Sequence, residues 1–471
     1  MVDLERRLSE RGDLLERDYP TISLTELSDR LDVVAAIPVP APAVRPFQPR
    51  PKPLTSAPRR RRLRVALAAV MVGLIIAGVA WLTRGTPDGE VIDQPTVTSI
   101  PTPTTTPLLS SLTWSRVFVF GGATMRSVTV GGPGLVAVGQ AGPGEDGEGS
   151  AAVWTSPDGA IWTRVPHDAA LFGGADMESI TVGGPGLVAV GEDADGDAVV
   201  WTSADGVTWS RVFHHEGGGA TMNSVTVGGP GLVAVGSDGG GQTESSNAVV
   251  WTSPDGIDWS RVPHNEAIFG GPAYRLGVES AHVGMTSVSA GGPGLVAVGW
   301  DWPHAAVWTS VDGITWARVP HDEAMQSASC SPPSGSCFDG AVGLFMRSVT
   351  VGGPGLVAVG FDGHPDAENA VVWTSDDGVT WSRVPHDEAI FGGPEIVQMN
   401  GVTAGGPGLV AVGGATVWTS VDGINWSRIP HNEAVFGGEV EMRSVTAGGP
   451  GLVAVGGDWP SAAVWNAGVE D

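Results

Sequence analysis

Lysine and arginine are scarce over most of this chain of 471 residues. From residue 85 onward lysine is absent, and eleven arginines stand against forty-two acidic residues, which gives a net charge near −31. Such a segment repels nucleic acid and anionic lipid head groups, and it favours solubility, cations or basic partners. Adaptation to high salt would produce the same composition. The charge therefore argues against a nucleic-acid partner and leaves the origin of the acidity open.

Cysteine is limited to Cys330 and Cys337, in the sequence Cys-Ser-Pro-Pro-Ser-Gly-Ser-Cys. Outside the cytoplasm, two cysteines at this spacing are expected to form a disulfide that closes a small loop. No second cysteine pair or histidine pair stands at the spacing of metal ligands. We therefore expect a disulfide, no metal and no cofactor.

A helical hydrophobic period is absent from the C-terminal three-quarters of the chain, which is a tandem repeat. A complete repeat contains Gly-Gly-Pro-Gly-Leu-Val-Ala-Val-Gly and then Trp-Thr-Ser-x-Asp-Gly-x-x-Trp. The first block begins at seven positions: Gly131, Gly183, Gly228, Gly291, Gly352, Gly405 and Gly448. The second begins at six: Trp154, Trp201, Trp251, Trp308, Trp373 and Trp418. Short apolar runs between Gly, Pro and Asp turns predict four strands per repeat, A to D, which is one blade of a β-propeller.

The unequal numbers of the two blocks predict how the ring of blades closes. The seventh repeat ends at 465–471 without a D strand, whereas Leu112–Val117 matches strand D with no strands before it. We therefore predict an all-β, seven-bladed propeller of four-stranded blades in which the N-terminal strand closes the last blade. The repeated Asp of the C–D turn is interpreted as a turn stabiliser.

The second block resembles the Asp-box of the sialidase-like, bacterial neuraminidase repeats, with one residue fewer between Asp and Trp, as between Asp312 and Trp316. The resemblance covers about residues 112–471 and implies a propeller. Hydrolysis in that family would require a Tyr nucleophile with a Glu, an acid/base Asp and three convergent Arg. The chain has only two tyrosines, Tyr19 and Tyr274, which favours a non-enzymatic propeller.

The N-terminal quarter divides into four segments by composition. Residues 1–35 are charged and partly helical, and they resemble the N-termini of actinobacterial single-pass membrane proteins. Residues 36–64 are a Pro-rich linker ending in the basic cluster Arg59–Arg64. Residues 65–82 carry no charge, and a helix there would span roughly 27 Å, enough for a bilayer core. Residues 83–111 are a Thr/Pro-rich stalk, and 112–471 form the propeller.

The arginine cluster before residue 65 predicts the orientation of this anchor. We expect a single uncleaved transmembrane helix, a cytoplasmic N-terminus and an extracytoplasmic propeller. A cleaved signal peptide is the competing interpretation.

Three residue types recur about once per blade and are candidate sites. Methionines that begin strand A could form a ring in the channel, but filling of core gaps is the favoured interpretation. Histidines after strand D are interpreted as part of blade packing beside Phe172, Phe269, Phe391 and Phe436, and the strand-D arginines as too peripheral to grip a substrate. Asp193, Asp195 and Asp197 resemble a shortened calcium loop, for which an acidic turn is favoured. The three sets are Met125, Met177, Met222, Met285, Met346, Met399 and Met442; His167, His264, His321, His386 and His431; and Arg116, Arg164, Arg211, Arg261, Arg318, Arg383 and Arg428.

Length variation is confined to the B–C and D–A connections, which open on one face of a propeller, here called the variable face. The A–B and C–D turns form the uniform face. Loops on a rigid scaffold often carry function, and the insertion 272–284 holds Tyr274 and Arg275, the candidate ligand-binding residues. We expect a non-enzymatic binding or sensing module for a protein, glycan or cell-wall ligand. The alternative is an exo-acting glycoside hydrolase of sialidase type.

Overall fold

Seven antiparallel sheets surround a central channel in the computed structural model of this chain. The structure describes residues 112–469 except 143–148, 216–218, 240–245, 272–281, 327–342, 364–367, 394–395 and 407. No helix within these ranges is long and apolar enough to cross a membrane. The predicted segments 1–35, 36–64, 65–82 and 83–111 lie outside the described residues.

Each sheet has four strands in the order A-B-C-D, from the channel outward. The A strands are β2 (Ala123–Gly131), β6 (Ala175–Gly183), β10 (Ala220–Gly228), β14 (Val283–Gly291), β18 (Gly343–Gly352), β22 (Gly401–Gly405) and β26 (Val440–Gly448). The B strands are β3 (Gly134–Ala141), β7 (Gly186–Asp193), β11 (Gly231–Asp238), β15 (Gly294–Asp301), β19 (Gly355–Gly363), β23 (Gly408–Gly413) and β27 (Gly451–Asp458). The C strands are β4 (Ser150–Ser156), β8 (Ala198–Ser203), β12 (Asn247–Ser253), β16 (His304–Ser310), β20 (Asn369–Ser375), β24 (Thr416–Ser420) and β28 (Ser461–Val469). The D strands are β5 (Thr163–Arg164), β9 (Ser210–His214), β13 (Ser260–Arg261), β17 (Trp316–Arg318), β21 (Ser382–Arg383), β25 (Trp426–Arg428) and, in blade 7, β1 (Leu112–Gly121).

Strand β1 closes the ring of blades as predicted. It pairs antiparallel with β28, from Leu112 opposite Val469 to Gly121 opposite Ser461, and it is longer than the predicted 112–117. Trp114 is buried in the core of blade 7, and Arg116 donates to the Asp458 carboxylate at 2.7 Å. The seven-bladed, four-stranded architecture and its closure by the N-terminal strand are therefore confirmed.

The C–D turns are held by the repeated Ser and Asp side chains. In blade 2, Asp205 Oδ1 accepts the N–H groups of Val207 and Thr208 at 2.8 and 2.7 Å, and Ser203 Oγ accepts that of Gly206 at 2.8 Å. Trp209 Nε1 donates to the Gly206 carbonyl at 3.0 Å. The backbone hydrogen bonds lower the pKa of Asp205 to about 2. Turn stabilisation is therefore the role of these carboxylates.

The hydrophobic core lies between neighbouring blades. Trp154 and Trp162 of blade 1 pack with Val453 and Val455 of blade 7, and equivalent clusters fill the other blade interfaces. The tryptophans thus seal adjacent blades, because both faces of each sheet are covered by its neighbours.

Single helical turns follow strand D and complete this packing; four residues are too few to show a helical period in sequence. In the first, Asp168 Oδ1 caps the N–H of Ala170 at 2.9 Å, and Phe172 is buried. Trp201 of the next blade donates from Nε1 to the Leu171 carbonyl at 2.7 Å. The turns are α1 (Ala169–Phe172), α2 (Glu266–Phe269), α3 (Glu388–Phe391), α4 (Glu433–Phe436) and a 3₁₀ turn (Glu323–Met325).

Candidate functional site

The residues predicted from the sequence as sites have different outcomes. Tyr274, Arg275, Cys330 and Cys337 lie outside the described residues, so the predicted ligand-binding pair and disulfide stay predictions. The strand-A methionines are fully buried, in agreement with gap filling. His264, His386 and His431 pair with the Glu two residues later, as His264 Nε2 does with Glu266 Oε2 at 3.0 Å, whereas His321 lies 3.6 Å from Asp301 of β15. The four histidines His167, His264, His386 and His431 contact the plug phenylalanines, which supports their interpretation as packing residues.

The strand-D arginines and the acidic turn have structural partners. Asp193 Oδ1 accepts the N–H groups of Asp195 and Asp197, at 3.1 and 3.0 Å. Its Oδ2 lies 2.7 Å from His214 Nε2 and 3.3 Å from Arg211. Asp193, Asp197 and His214 could each offer a ligand atom to one cation. The adjacent guanidinium opposes a cation there, so the acidic turn remains the better interpretation.

A β-bulge in strand A places one side chain per blade in the channel. In blade 1, Met125 pairs with Gly139 and Ser127 with Val138, so Arg126 is the extra residue of the bulge. The same register shift follows the methionine in blades 2, 3, 4, 5 and 7. In blade 6, strand β22 begins just after the equivalent Asn400. Bulges re-aim side chains, and here the residue after each buried Met faces the channel.

The last glycine of the first repeat block makes room for this bulge. A Cβ on Gly456 would overlap the Glu441 carbonyl oxygen and come within 2.9 Å of Met442 Cα. The equivalent glycines of the other blades have the same backbone neighbours. The repeated Gly therefore serves the geometry of the channel residues.

Seven side chains of four residue types, one from each blade, form what we call the channel ring. Together with Trp300 they line a cavity of about 260 Å³. Trp300 is the residue before the last of β15, next to the B–C turn, so the cavity lies toward the variable face. The ring consists of Arg126, Glu178, Asn223, Thr286, Arg347, Asn400 and Arg443.

The uncharged members of the ring join neighbouring blades. Asn223 Nδ2 donates to the Met285 carbonyl at 2.9 Å, Thr286 Oγ1 to that of Met346 at 2.6 Å, and Asn400 Nδ2 to that of Met442 at 3.0 Å. These bonds satisfy carbonyls beside the bulge of the next blade. Because the uncharged side chains are engaged between blades, the ring groups that remain to contact a ligand are mainly the charged side chains.

One side of the ring is an acidic pole, formed by Asp176, Glu178 and Glu192 around Arg126. The guanidinium of Arg126 lies 2.5 Å from Asp176 and 3.1 Å from Glu178. Burial raises the pKa of Glu178 to about 7 against the pull of Arg126, and it also raises the pKa values of Asp176 and Glu192. Burial alone would lower the pKa of Arg126, but the carboxylates of Glu178 and Asp176 outweigh it and raise that pKa.

The other side is a basic arc formed by Arg347, Asn400 and Arg443 on blades 5, 6 and 7. Arg443 pairs with Glu441 of its own strand at 2.7 Å. Arg347 is exposed to the channel, and its guanidinium lies 5.1 Å above the ring of Phe361. The surrounding channel walls partly desolvate the guanidinium, and this desolvation, opposed by Glu368 and aided by Arg443, lowers the pKa of Arg347. The ring is therefore electrically polar, with negative charge on blade 2 and positive charge on blades 5 to 7.

The channel ring is not revealed by residues that recur from blade to blade. The recurring methionine was the strand-A residue considered for the channel, with filling of core gaps as the favoured interpretation, whereas the bulge turns the following residue inward. The signal in the sequence was variation inside an otherwise repeated strand. The residue that follows the strand-A methionine is Arg, Glu, Asn, Thr, Arg, Asn and Arg in chain order. Variation at one position of an otherwise repeated strand indicates a position that blade packing does not fix.

Comparisons with known proteins give likeness of fold at low identity. No protein-family model matches the chain, and no curated protein matches it. Sqt1 from Chaetomium thermophilum is similar, with a TM-score of 0.40, 12% identity and coverage of 73% of this chain and 82% of that one. Sqt1 bound to the N-terminus of the ribosomal protein L10 matches with a TM-score of 0.38, 13% identity and coverage of 73% and 85%. A proposed 6-phosphogluconolactonase from Bacteroides fragilis matches with a TM-score of 0.43, 12% identity and coverage of 70% and 96%. None of these likenesses indicates what this chain binds.

Proposed function

We propose that this protein is a membrane-anchored binding or sensing module whose propeller lies outside the cytoplasm. It recognises a protein, glycan or cell-wall ligand through the variable face. The observation that carries the proposal is the channel ring: seven side chains of four residue types at one equivalent position, re-aimed by a bulge into one cavity. Identical packing would require identical residues, whereas a ligand without sevenfold symmetry requires different ones.

Photo-crosslinking in cells would test which face binds. The photoreactive residue p-benzoylphenylalanine replaces either Trp459 in the B–C turn of blade 7 or Val311 in a C–D turn. The two positions are matched, since each native side chain is 75% exposed. We expect a discrete adduct from position 459 and none from position 311. Adducts only from position 311 would place the partner on the uniform face and refute the proposal.

The membrane anchor is a separate part of the proposal, motivated by the uncharged segment 65–82 and the basic cluster before it. Protease added to intact spheroplasts should release the propeller as a compact fragment. Protection of the propeller until the membrane is lysed would overturn this topology. The proposed partners are thus the membrane, through that one helix, and an extracellular protein or glycan, without nucleic acid or cofactor.

A second candidate is the exo-acting glycoside hydrolase of sialidase type. The observation in its favour is that Arg126, Arg347 and Arg443 converge on one cavity with Glu178, whose pKa burial raises to about 7. The described residues contain no tyrosine to act as nucleophile. Release of a chromogenic aglycone from a panel of glycosides, lost on Glu178→Gln, would favour this candidate over pure binding. An inactive parent protein would exclude it.

A further inference from the structure

Arginine is distributed in the propeller in a way that singles out the channel. Of the eleven arginines after residue 85, seven are the repeated strand-D residues and one is Arg275. The remaining three, Arg126, Arg347 and Arg443, all belong to the channel ring. In a segment with forty-two acidic residues and no lysine, this concentration of positive charge in one cavity requires an explanation.

Within the part of the chain that the structure describes, Arg347 is the ring cation without a hydrogen-bonded carboxylate, and Glu368 acts on it only at longer range. Arg126 and Arg443 each have an acidic partner within 3.1 Å. Among the described residues, no carboxylate lies within ion-pair distance of Arg347. Its guanidinium stacks on the face of Phe361 instead. Stacking fixes the orientation of the guanidinium and leaves its N–H donors available to an anion. Across Asn400, the Nε of Arg443 is buried with no acceptor among the described residues.

An aromatic wall formed by residues of blades 4 and 5 stands beside this basic arc. It consists of Trp300, Phe345 and Phe361, with ring centroids 6.1 Å apart for the first pair and 4.9 Å for the stacked second pair. The positions equivalent to Trp300 in blades 1, 2 and 3 are Gln140, Glu192 and Ser237.

Two glycines seat the wall. A Cβ on Gly284 would overlap the Trp300 indole, and one on Gly343 would come within 2.5 Å of the Phe345 ring. Backbone without side chains at these two positions therefore makes room for the rings. The wall has the features of a built platform, and its end member Trp300 lines the same cavity as Arg347.

We propose that this corner of the channel binds an anionic saccharide, with its carboxylate or phosphate group on Arg347 and Arg443 and its sugar ring against Trp300. The guanidinium fork matches both anions, and the apolar face of a sugar packs on an aromatic ring. The acidic pole on blade 2 repels a second anionic group and so sets one orientation in the cavity. This inference rests on the proposed function and names the ligand class for its site.

Calorimetric titration of the full-length protein tests the ligand class directly. The probes are glucuronate, glucose 6-phosphate and neutral glucose, at low salt. We expect binding of at least one anionic sugar and none of glucose, with affinity falling as salt rises. The tighter of the two anions identifies carboxylate or phosphate as the natural group. Equal affinity for glucose and both anions, or no binding of either anion, would overturn the proposal.

Matched variants locate the site. Arg347→Gln should weaken the anionic sugar at least about tenfold, because a charged hydrogen-bond donor is lost. Arg164→Gln, an exposed strand-D arginine, should retain parent affinity. Trp300→Ala should also weaken binding, whereas Val311→Ala on the uniform face should not. Unchanged unfolding midpoints confirm intact folds, and parent affinity in folded Arg347→Gln would refute the assignment. If neither anionic sugar binds but position 459 still crosslinks to a partner, the anionic-saccharide proposal is refuted and the proposed binding function is retained.

Discussion

The bulge that forms the channel ring can be tested by two neighbouring glycines that differ in what a methyl group would meet. At Gly456 the added Cβ meets the Glu441 carbonyl oxygen and Met442 Cα, both of them backbone atoms that no side-chain rotation can move. Overpacking of this kind costs about 1–3 kcal/mol and sometimes more, and disturbance of adjoining ladder hydrogen bonds adds about 1 kcal/mol each. Gly456→Ala should therefore destabilise the propeller by roughly 3 kcal/mol or more.

Gly457 supplies the matched control, because the nearest atom to its added Cβ is 3.5 Å away. Gly457→Ala should be neutral or stabilising by up to about 1 kcal/mol, through the reduced entropy of the unfolded chain. Urea unfolding followed by tryptophan fluorescence measures both variants. We expect the two to differ by at least about a hundredfold in the unfolding equilibrium. Equal midpoints would refute the requirement for glycine opposite the bulge.

Three further changes have defined outcomes. Trp114→Ala should cost about 3–5 kcal/mol and promote aggregation by loosening β1, and light scattering on heating would show it; an unchanged profile contradicts closure through this contact. Burial raises the pKa of Glu178 to about 7, so the folded parent holds this proton more tightly than the unfolded chain and loses stability as pH rises from 4.5 to about 7. Glu178→Gln should remove this loss. Urea unfolding at pH 5 and pH 8 measures the stability, and an unchanged pH dependence in the variant would contradict the prediction. Backbone N–H donors lower the pKa of Asp205 to about 2, and the stability that this carboxylate contributes disappears as pH falls through that value. Asp205→Asn should therefore be less stable than the parent at neutral pH and should lose less stability on acidification. An acid titration by circular dichroism that overlays that of the parent would contradict this prediction.

The blade architecture was predictable because its determinants repeat. Gly-Gly-Pro-Gly marks every A–B turn, where the second glycine has a positive φ, as Gly132 does at 56°. The Ser and Asp of the C–D turn predict the hydrogen bonds seen at Ser203 and Asp205. The surplus strand Leu112–Val117 predicted closure, since an unpaired edge in blade 7 needs a partner.

The channel ring was not predictable by the same reasoning. Alternation along strand A places Met125 and Ser127 on the same side of the strand, and it does not reveal that an extra residue enters between them. The bulge arises from pairing with Gly139 on strand B, a long-range feature that no window of strand A contains. The aromatic wall likewise joins positions 300, 345 and 361 from two blades.

A crystal structure of the protein with its preferred anionic sugar would test the central claim most directly. The account predicts ligand density in the channel cavity, with the carboxylate or phosphate oxygens within hydrogen-bond distance of the Arg347 and Arg443 guanidinium groups and the sugar ring on Trp300. Density confined to the uniform face, or a channel without ligand in crystals grown at concentrations that saturate binding in solution, would contradict it.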